Sequence, residues 1–124
     1  MDLRDFAARW CEAWNAHDLD RVLAHFADEV VFTSPVAARI VPGSEGRITG
    51  KAALRAYWAE GLRRIPDLHF TVEHVFGGID MAVIQYRNQA GVRVSEVLAF
   101  EDGLVVRGHG TYEAGADNPA GVRA

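Results

Sequence analysis

The sequence predicts an α+β protein in which helices come first and an antiparallel sheet follows. Two observations support the helices, since apolar residues recur at three- and four-residue intervals in residues 2–16 and again in 51–65. A third supports the sheet, because apolar and polar residues alternate from residue 68 onward between glycine-containing turns. One early strand and four later ones would therefore share a sheet that packs against the helices.

The first helix is predicted over about Asp2 to Ala16, and a second begins shortly after it. The apolar face of the first helix would turn tryptophans inward and consists of Leu3, Phe6, Trp10, Ala13 and Trp14. Asn15 and His17 interrupt this pattern. Asp18 is then a suitable N-cap, because its side-chain oxygen can accept the free N–H groups of the next turn. The apolar face of the second helix consists of Leu19, Val22, Leu23 and Phe26.

A strand follows the second helix, because the apolar period changes from helical to alternating after Glu29. One face of this strand carries Val30, Phe32 and Ser34. Pro35, which lacks an N–H, ends it. Residues 36–50 contain several glycines and are interpreted as a loop.

A third helix is predicted from Thr49-Gly50 to the residue before Pro66. Its apolar face consists of Leu54, Tyr57, Trp58, Leu62 and Ile65. Tyr57 and Trp58 either fill the core or line a pocket, and both interpretations stay open because large aromatic side chains serve both purposes.

The remaining chain is predicted to form a four-stranded meander. Its strands cover about 68–76, 79–88, 92–100 and 104–113, and its turns are Gly77-Gly78, Gln89-Ala90-Gly91 and Glu101-Asp102-Gly103. We expect a single domain over 1–113. Residues 114–124 are expected to form a flexible tail, since they offer almost nothing apolar to bury.

Glu96 is the most suggestive ionisable residue of the predicted sheet. Its strand face is otherwise apolar and carries Val94, Leu98 and Phe100. If this face points inward, desolvation raises the pKa of Glu96 and makes it a proton donor or a poised base, and therefore the candidate catalytic residue. The alternative is an outward Glu96 that pairs with an arginine such as Arg93 or Arg107.

The last strand has two faces of different character. One face carries Val106, Gly108, Gly110 and Tyr112, and the other carries Val105, Arg107, His109 and Thr111. With the first face inside, the two glycines widen a cavity and Tyr112 supplies a hydroxyl at its edge. The reversed orientation would bring Arg107 and His109 into the pocket instead.

Composition excludes several classes of function. The chain has 124 residues, a net charge of −4 and no run of basic residues, so nucleic acid is not an expected partner. No stretch reaches the roughly 18 apolar residues that a membrane span needs. The single cysteine, Cys11, cannot form an internal disulfide, and no signal-peptide pattern is visible. We therefore expect a cytoplasmic protein, and the preference for arginine over lysine favours a bacterial source.

Neither a metal nor a cofactor is expected. His69, Thr71 and Glu73 share a strand face, but two candidate ligands do not make a metal site. Cys11 has no histidine at an obvious supporting position, so a small buried thiol is the preferred interpretation.

Three stretches carry a family resemblance. They are AWNAHDLDRVLAHFADEVVF followed by Ser-Pro, then GKAALRAYWAEGL, then EVLAFEDGLVVRGHGTY. In this order they resemble the nuclear-transport-factor-2-like superfamily, with its SnoaL-like and ketosteroid-isomerase-like branches closest, over roughly Leu3 to Glu113. The resemblance implies a cystatin-like cone, in which a curved antiparallel sheet wraps around three N-terminal helices and encloses a pocket. It also implies a homodimer through the outer face of the sheet.

The resemblance does not select one reaction. Family members include isomerases, dehydratases, cyclases, epoxide hydrolases and non-catalytic binders. Ketosteroid isomerase uses an aspartate base, a tyrosine and a protonated aspartic acid, and the matching positions here are Ser34, Trp10 and Glu96. Only Glu96 keeps the chemistry, because serine by itself is no general base and tryptophan donates only through its indole N–H. Gly110 falls where the cyclase and epoxide-hydrolase branches place an acid.

We therefore expect a hydrophobic small molecule in a pocket that opens near residues 35–50, with Glu96 as acid or base. The expected ligand-binding residues are Trp10, Trp14, Phe32, Ser34, Trp58, Leu62 and Tyr112. An enzyme of this kind would be a cofactor-independent isomerase, cyclase or dehydratase, and the alternative is a non-catalytic binding or dimerisation module. By alternation, the residues expected on the dimer face are Val105, Thr111 and either Tyr86 or Ile84.

Overall fold

The computed structural model describes residues 1–115, which form four α-helices and six β-strands. The helices are α1 (Leu3–Asn15), α2 (Leu19–Leu23), α3 (Pro35–Ile40) and α4 (Lys51–Arg64). The strands are β1 (Phe26–Thr33), β2 (Arg47–Thr49), β3 (Thr71–Gly78), β4 (Met81–Arg87), β5 (Arg93–Glu101) and β6 (Leu104–Tyr112). They make one curved, unclosed sheet in the order β2-β1-β6-β5-β4-β3. The predicted α+β class with N-terminal helices is therefore confirmed, and the predicted tail lies almost wholly outside the described residues.

The sheet is not antiparallel throughout, because β1 and β6 pair in parallel. The other four pairings are antiparallel. A parallel pair needs a long crossover connection, and α4 with the β3–β5 meander provides it. The sequence predicted a curved antiparallel sheet, and this one pairing departs from it.

The segment interpreted as a loop contains α3 and the short strand β2. Pro35 both follows β1 and occupies the first turn of α3, where its missing N–H costs nothing. Oγ of Ser34 accepts the N–H of Val36 at 3.1 Å and so caps this helix. Residues 1–115 therefore contain four helices where the sequence predicted three.

Asp residues begin the first two helices, as the sequence predicted for the second. Asp2 accepts the N–H groups of Arg4 and Asp5 at 3.0 and 3.1 Å. Asp18 accepts the N–H of Arg21 at 3.2 Å. Phe26, expected on the second helix, instead begins β1.

Asn15 does more than end α1, because its side-chain amide pairs with the backbone of Phe70. Nδ2 of Asn15 donates to the carbonyl of Phe70 at 2.9 Å, and the N–H of Phe70 donates to Oδ1 of Asn15 at 2.7 Å. Nε2 of His17 lies 2.9 Å from the carbonyl of Leu68. The end of α1 thus fastens the segment that leads into β3.

Two β-bulges reverse the predicted alternation locally. In β3 the register shifts between Val72 and His74, so Val75 packs against the core while Phe76 is 56% exposed. Where β5 meets β6 the register shifts between Ala99 and Phe100, and Val105 becomes fully buried.

The core lies between the helices and the concave face of the sheet. Its fully buried side chains include Trp10, Leu23, Phe26, Leu54, Ile84, Leu98 and Val105. Ile84, Tyr86 and Val105, which were assigned to the outer face, therefore point inward, and that prediction was wrong. Within residues 1–115, no helix is long and apolar enough to cross a membrane.

Candidate functional site

A cavity lies between α4 and the concave face of the sheet. Its walls contain side chains from helices and strands: Trp14, Phe32, Ser34, Val36, Tyr57, Trp58, Gly61, Leu62, Ile65, Leu68, Phe70, Tyr86, Asn88, Gln89, Val94, Glu96 and Tyr112. The empty space between these walls, including the solvent at the mouth, is about 680 Å³.

The structure brings six of the seven predicted ligand-binding residues to this cavity, together with Glu96. The six are Trp14, Phe32, Ser34, Trp58, Leu62 and Tyr112. Trp10 does not line it, because this side chain is 1% exposed and lies behind the wall. Its ring centroid is 5.7 Å from that of Phe70 and 5.4 Å from that of Tyr86. Trp10 therefore supports two wall residues and cannot touch a ligand in this cavity.

The mouth is not where the sequence predicted it. The partly exposed lining residues lie at the end of α4, in the segment after it, in the β4–β5 turn and at the end of β6: Gly61, Leu62, Ile65, Leu68, Asn88, Gln89 and Tyr112. From residues 35–50 only Val36 contributes, and it is buried. Residues 35–50 fold back as α3 and β2, which closes that side.

Trp58 belongs both to the core and to the cavity wall, so both interpretations of this residue hold. Its ring makes edge-to-face contacts with three aromatic rings, at centroid distances of 4.9 Å to Trp14, 5.3 Å to Phe26 and 5.4 Å to Phe32. Such pairs fix ring orientation better than aliphatic contacts do. The apolar part of the cavity is therefore formed by rings with few alternative positions.

Glu96 lies on the inner face of β5 and is 8% exposed. The hydroxyl of Tyr86 donates a hydrogen bond to its Oε1 at 3.1 Å. Burial raises the pKa of Glu96 from 4.5 to about 7, and the hydrogen bond from Tyr86 offsets part of that rise. Near neutral pH this carboxyl group can therefore give or take a proton.

The alternative of an outward Glu96 paired with arginine is wrong. Arg93 lies 3.6 Å from the carboxylate of Glu73 and 3.8 Å from that of Glu113. Arg107 is exposed on the outer face. Nδ1 of His109, also on the outer face, lies 2.6 Å from Oγ1 of Thr33. The reversed orientation of the last strand, which would have brought Arg107 and His109 into the pocket, is therefore wrong as well.

Two tyrosines that line the cavity titrate far from neutrality. Burial, and then the charge of Glu96, raise the pKa of Tyr86 well above its ordinary value. Burial also raises the pKa of Tyr57 to about 12, although a hydrogen bond with Ser34 offsets part of the rise. Both phenols therefore stay neutral and act as hydrogen-bond donors rather than as bases.

Tyr86 is a residue of the candidate site that sequence reasoning missed. The register of the β4–β5 hairpin places Tyr86 opposite Val94 and Ile84 opposite Glu96. Directly opposed residues point to the same face. Once Glu96 was assigned inward, the short turn at 89–91 was enough to place Tyr86 beside it.

Cys11 and the histidines form no second centre. Sγ of Cys11 donates to the carbonyl of Phe70 at 3.3 Å, and burial raises the pKa of this thiol. A raised pKa keeps the thiol protonated and poorly nucleophilic. In the part of the chain that the structure describes, no group of three or more His, Cys, Asp or Glu residues is placed to hold a metal ion.

The family model of the SnoaL-like domain matches residues 7–121. The chain belongs to the SnoaL-like family. A SnoaL-like protein of unknown function from Burkholderia thailandensis is 41% identical in sequence, with 90% of this chain and 94% of that chain covered and a TM-score of 0.85. Among curated proteins, the search finds no significant match.

More distant solved structures share the fold. TerC, crystallised with polyporic acid, is 13% identical over 89% of this chain and 90% of its own, with a TM-score of 0.74. IdmH from Streptomyces antibioticus, described as a candidate polyketide cyclase, is 17% identical over 91% and 93% of the two chains, with a TM-score of 0.73. At these identities the likeness concerns the fold alone.

Proposed function

We propose that this SnoaL-like protein binds a small hydrophobic molecule in the cavity and that Glu96 shares or exchanges a proton with it. The observation that carries the proposal is a buried carboxyl group with a pKa of about 7, held by Tyr86, in an otherwise aromatic cavity that reaches solvent. A structural carboxyl would be expected to pair with a cation, and this one faces phenols and apolar rings.

The chemistry that fits is proton transfer without a cofactor, as in an isomerase, a cyclase or a dehydratase. Below its pKa Glu96 can protonate a ligand oxygen or donate a hydrogen bond to it, and above its pKa it can remove a proton. Tyr86 supports either form, because its hydroxyl donates to Oε1 and orients the carboxyl group. The structures of TerC with polyporic acid and of the candidate polyketide cyclase IdmH favour an aromatic or polyketide-like ligand as the first class to test.

The alternative is a non-catalytic binder, and one observation favours it. Ser34 takes the position that resembles the aspartate base of ketosteroid isomerase, and its Oγ accepts the N–H of Val36 as a helix cap. It is not available as a base, so Glu96 would act without a second carboxylate. The two candidates differ in the role of Glu96. In a binder, Glu96→Gln leaves the affinity intact and only removes its pH dependence, whereas in an enzyme the same variant also loses turnover.

Binding can be tested with the uncharged dye N-phenyl-1-naphthylamine, whose emission rises in apolar surroundings. The proposal predicts saturable binding that Leu62→Arg weakens at least tenfold, since a guanidinium group at the mouth must be desolvated when the dye enters. Ala59→Arg is the matched control, because Ala59 lies on the same helix and is exposed. Equal affinity in the two arginine variants, or no binding by the unmodified protein, would contradict the proposed pocket.

We also propose a homodimer through the outer face of the sheet. The half-exposed residues there are Val31, Thr33, Val83, Gln85, Ser95, Val97, Ala99 and His109, a contiguous surface that would be costly to leave in water. Val97 is opposite both Val83 and His109, so Val97→Glu should separate the subunits. Sedimentation of the unmodified protein as a monomer at tens of micromolar would contradict the dimer.

A cytoplasmic location and a bacterial source stay predictions from the sequence.

A further inference from the structure

The two inward-facing glycines of β6 border different kinds of space. A β-carbon on Gly108 would lie 2.8 Å from Cδ2 of Phe32 and 3.3 Å from Cδ2 of Leu98. The space above Gly108 is therefore filled by the apolar core, and glycine is needed there for packing.

The space above Gly110 is bordered by polar atoms. A β-carbon at this position would lie 3.6 Å from Oε1 of Glu96 and 3.6 Å from Oγ of Ser34, with Cβ of Ser34 next at 3.7 Å. These are ordinary contact distances, so a methyl group would fit without displacing a neighbour. The backbone of Gly110 does not have a positive φ, so its conformation does not require glycine either.

Strand register explains why these polar groups meet. Glu96 on β5 is directly opposite Gly110 on β6. On the other side of β6, Thr33 is opposite His109, so the next residue, Ser34, lies beside Gly110. Ser34, Gly110 and Glu96 thus form one row across the sheet. Ser34 is 5% exposed and Glu96 is 8% exposed, and both line the cavity.

We propose that the space above Gly110 is an oxygen-binding slot, filled by water in the free protein and by a carbonyl or hydroxyl oxygen of the ligand in the complex. Gly110 is then a specificity-determining residue, and the ligands are ketones, enols or phenols with a hydrophobic body rather than hydrocarbons. This inference rests on the proposed binding function and adds the chemical class of the ligand.

The chemistry of the two walls supports an oxygen atom in this slot. An oxygen atom can approach Ser34 and Glu96 to the 2.6–3.2 Å of a hydrogen bond, whereas a methyl group stays near van der Waals distance. The hydroxyl of Ser34, which also reaches Tyr57, and the protonated carboxyl of Glu96 can both donate. A hydrocarbon in the slot would leave these buried groups without that partner, which is unfavourable.

Crystal structures of the free protein test the slot without any ligand. The unmodified protein should hold one ordered water within hydrogen-bond distance of both Oγ of Ser34 and the carboxyl group of Glu96, and Gly110→Ala should lack it. A slot without water, or a direct hydrogen bond between Ser34 and Glu96 that closes it, would overturn the proposal.

Calorimetry with a matched pair of probes, 1-tetralone and tetralin, tests the ligand class. The unmodified protein should bind the ketone about three- to tenfold more tightly than the hydrocarbon, the usual contribution of one hydrogen bond. Gly110→Ala should remove this preference while its affinity for tetralin stays the same. Gly78→Ala is the control, because Gly78 lies on β3 outside the cavity wall and its added methyl group meets only Met81, at 3.7 Å, so the preference should persist.

Equal affinities for the two probes in the unmodified protein, or a preference retained in Gly110→Ala, would overturn the slot. Ser34→Ala gives a second route if Gly110→Ala does not fold, since it removes one polar wall and should also reduce the ratio of the two affinities. If neither probe binds the unmodified protein, the proposed binding function fails for this class of molecule, and the ordered water alone decides whether the slot exists.

Discussion

The hydroxyl of Tyr86 donates a hydrogen bond to Oε1 of Glu96 at 3.1 Å, from one strand to the next on the inner face of the sheet. Two effects on the carboxyl group oppose each other there. Burial disfavours the charged form, and the hydrogen bond favours it, with a net pKa of about 7. The pair therefore keeps both protonation states of Glu96 accessible near neutral pH.

Replacing Tyr86 by phenylalanine should raise the pKa of Glu96 above about 7, because it removes the hydrogen bond that favours the ionised form. NMR titration of the Glu96 carboxyl carbon measures this directly. Tyr57→Phe is the matched control, since Tyr57 is a buried phenol in the same cavity that makes no hydrogen bond to Glu96. A lower pKa in Tyr86→Phe, or equal shifts in both variants, would show that Tyr86 does not hold the carboxylate.

Glu96 should also make stability depend on pH. Its pKa is about 7 in the folded protein against 4.5 ordinarily, so the folded state binds more protons than the unfolded chain between these values. The free energy of unfolding must then fall as pH rises from about 4.5 to 7, by roughly 3 kcal/mol in total, and this contribution stays constant above that window. Urea denaturation at pH 5 and pH 8 should show a decline that Glu96→Gln lacks.

Groups such as His25 titrate equally in both proteins and cancel in that comparison. If unmodified protein and Glu96→Gln changed stability in parallel between the two pH values, Glu96 would have an ordinary pKa. The candidate acid of the proposed function would then be absent.

Much of this site could be predicted from alternation alone. The inward orientation of Glu96 follows from its apolar neighbours on β5. Ser34 lies two residues after Phe32, so it points to the same face, towards the cavity. Alternation fails where a bulge adds one residue, as at Val72 and at Ala99, because nothing in a polar–apolar pattern marks the insertion. That is why Val105 was placed on the outer face.

Other features depend on distant parts of the chain. The parallel pairing of β1 with β6 joins residues far apart in the chain, such as Phe32 and Gly108, which are 76 positions apart, and local periodicity carries no such information. The helix α3 was missed because glycines follow it closely at positions 43, 46 and 50, and the whole of residues 36–50 was interpreted as a loop. Trp10 was placed in the pocket because a helical pattern gives the face of a residue and not its depth.

Asn15→Ala should lower the free energy of unfolding by about 1–3 kcal/mol, because both hydrogen bonds to the backbone of Phe70 are lost in a partly buried setting. The ring of Phe70 lines the cavity, so this variant should also weaken binding of N-phenyl-1-naphthylamine. Glu12→Ala on the exposed side of α1 is the control and should change stability by no more than about 0.5 kcal/mol. Equal stability of the two variants would mean that the pairing with Phe70 contributes nothing.

The two glycines of β6 should respond differently to the same small change. Gly108→Ala places a methyl group 2.8 Å from the ring of Phe32, which is packed against Trp58 and cannot move freely, so overpacking should cost about 1–3 kcal/mol. Gly110→Ala meets its neighbours at 3.6 Å and should change stability by less than about 1 kcal/mol. Parallel urea denaturation of the two variants measures the difference. A larger loss in Gly110→Ala than in Gly108→Ala would mean that the row of Ser34, Gly110 and Glu96 is packed as tightly as the core, with no room for an oxygen atom between its polar walls.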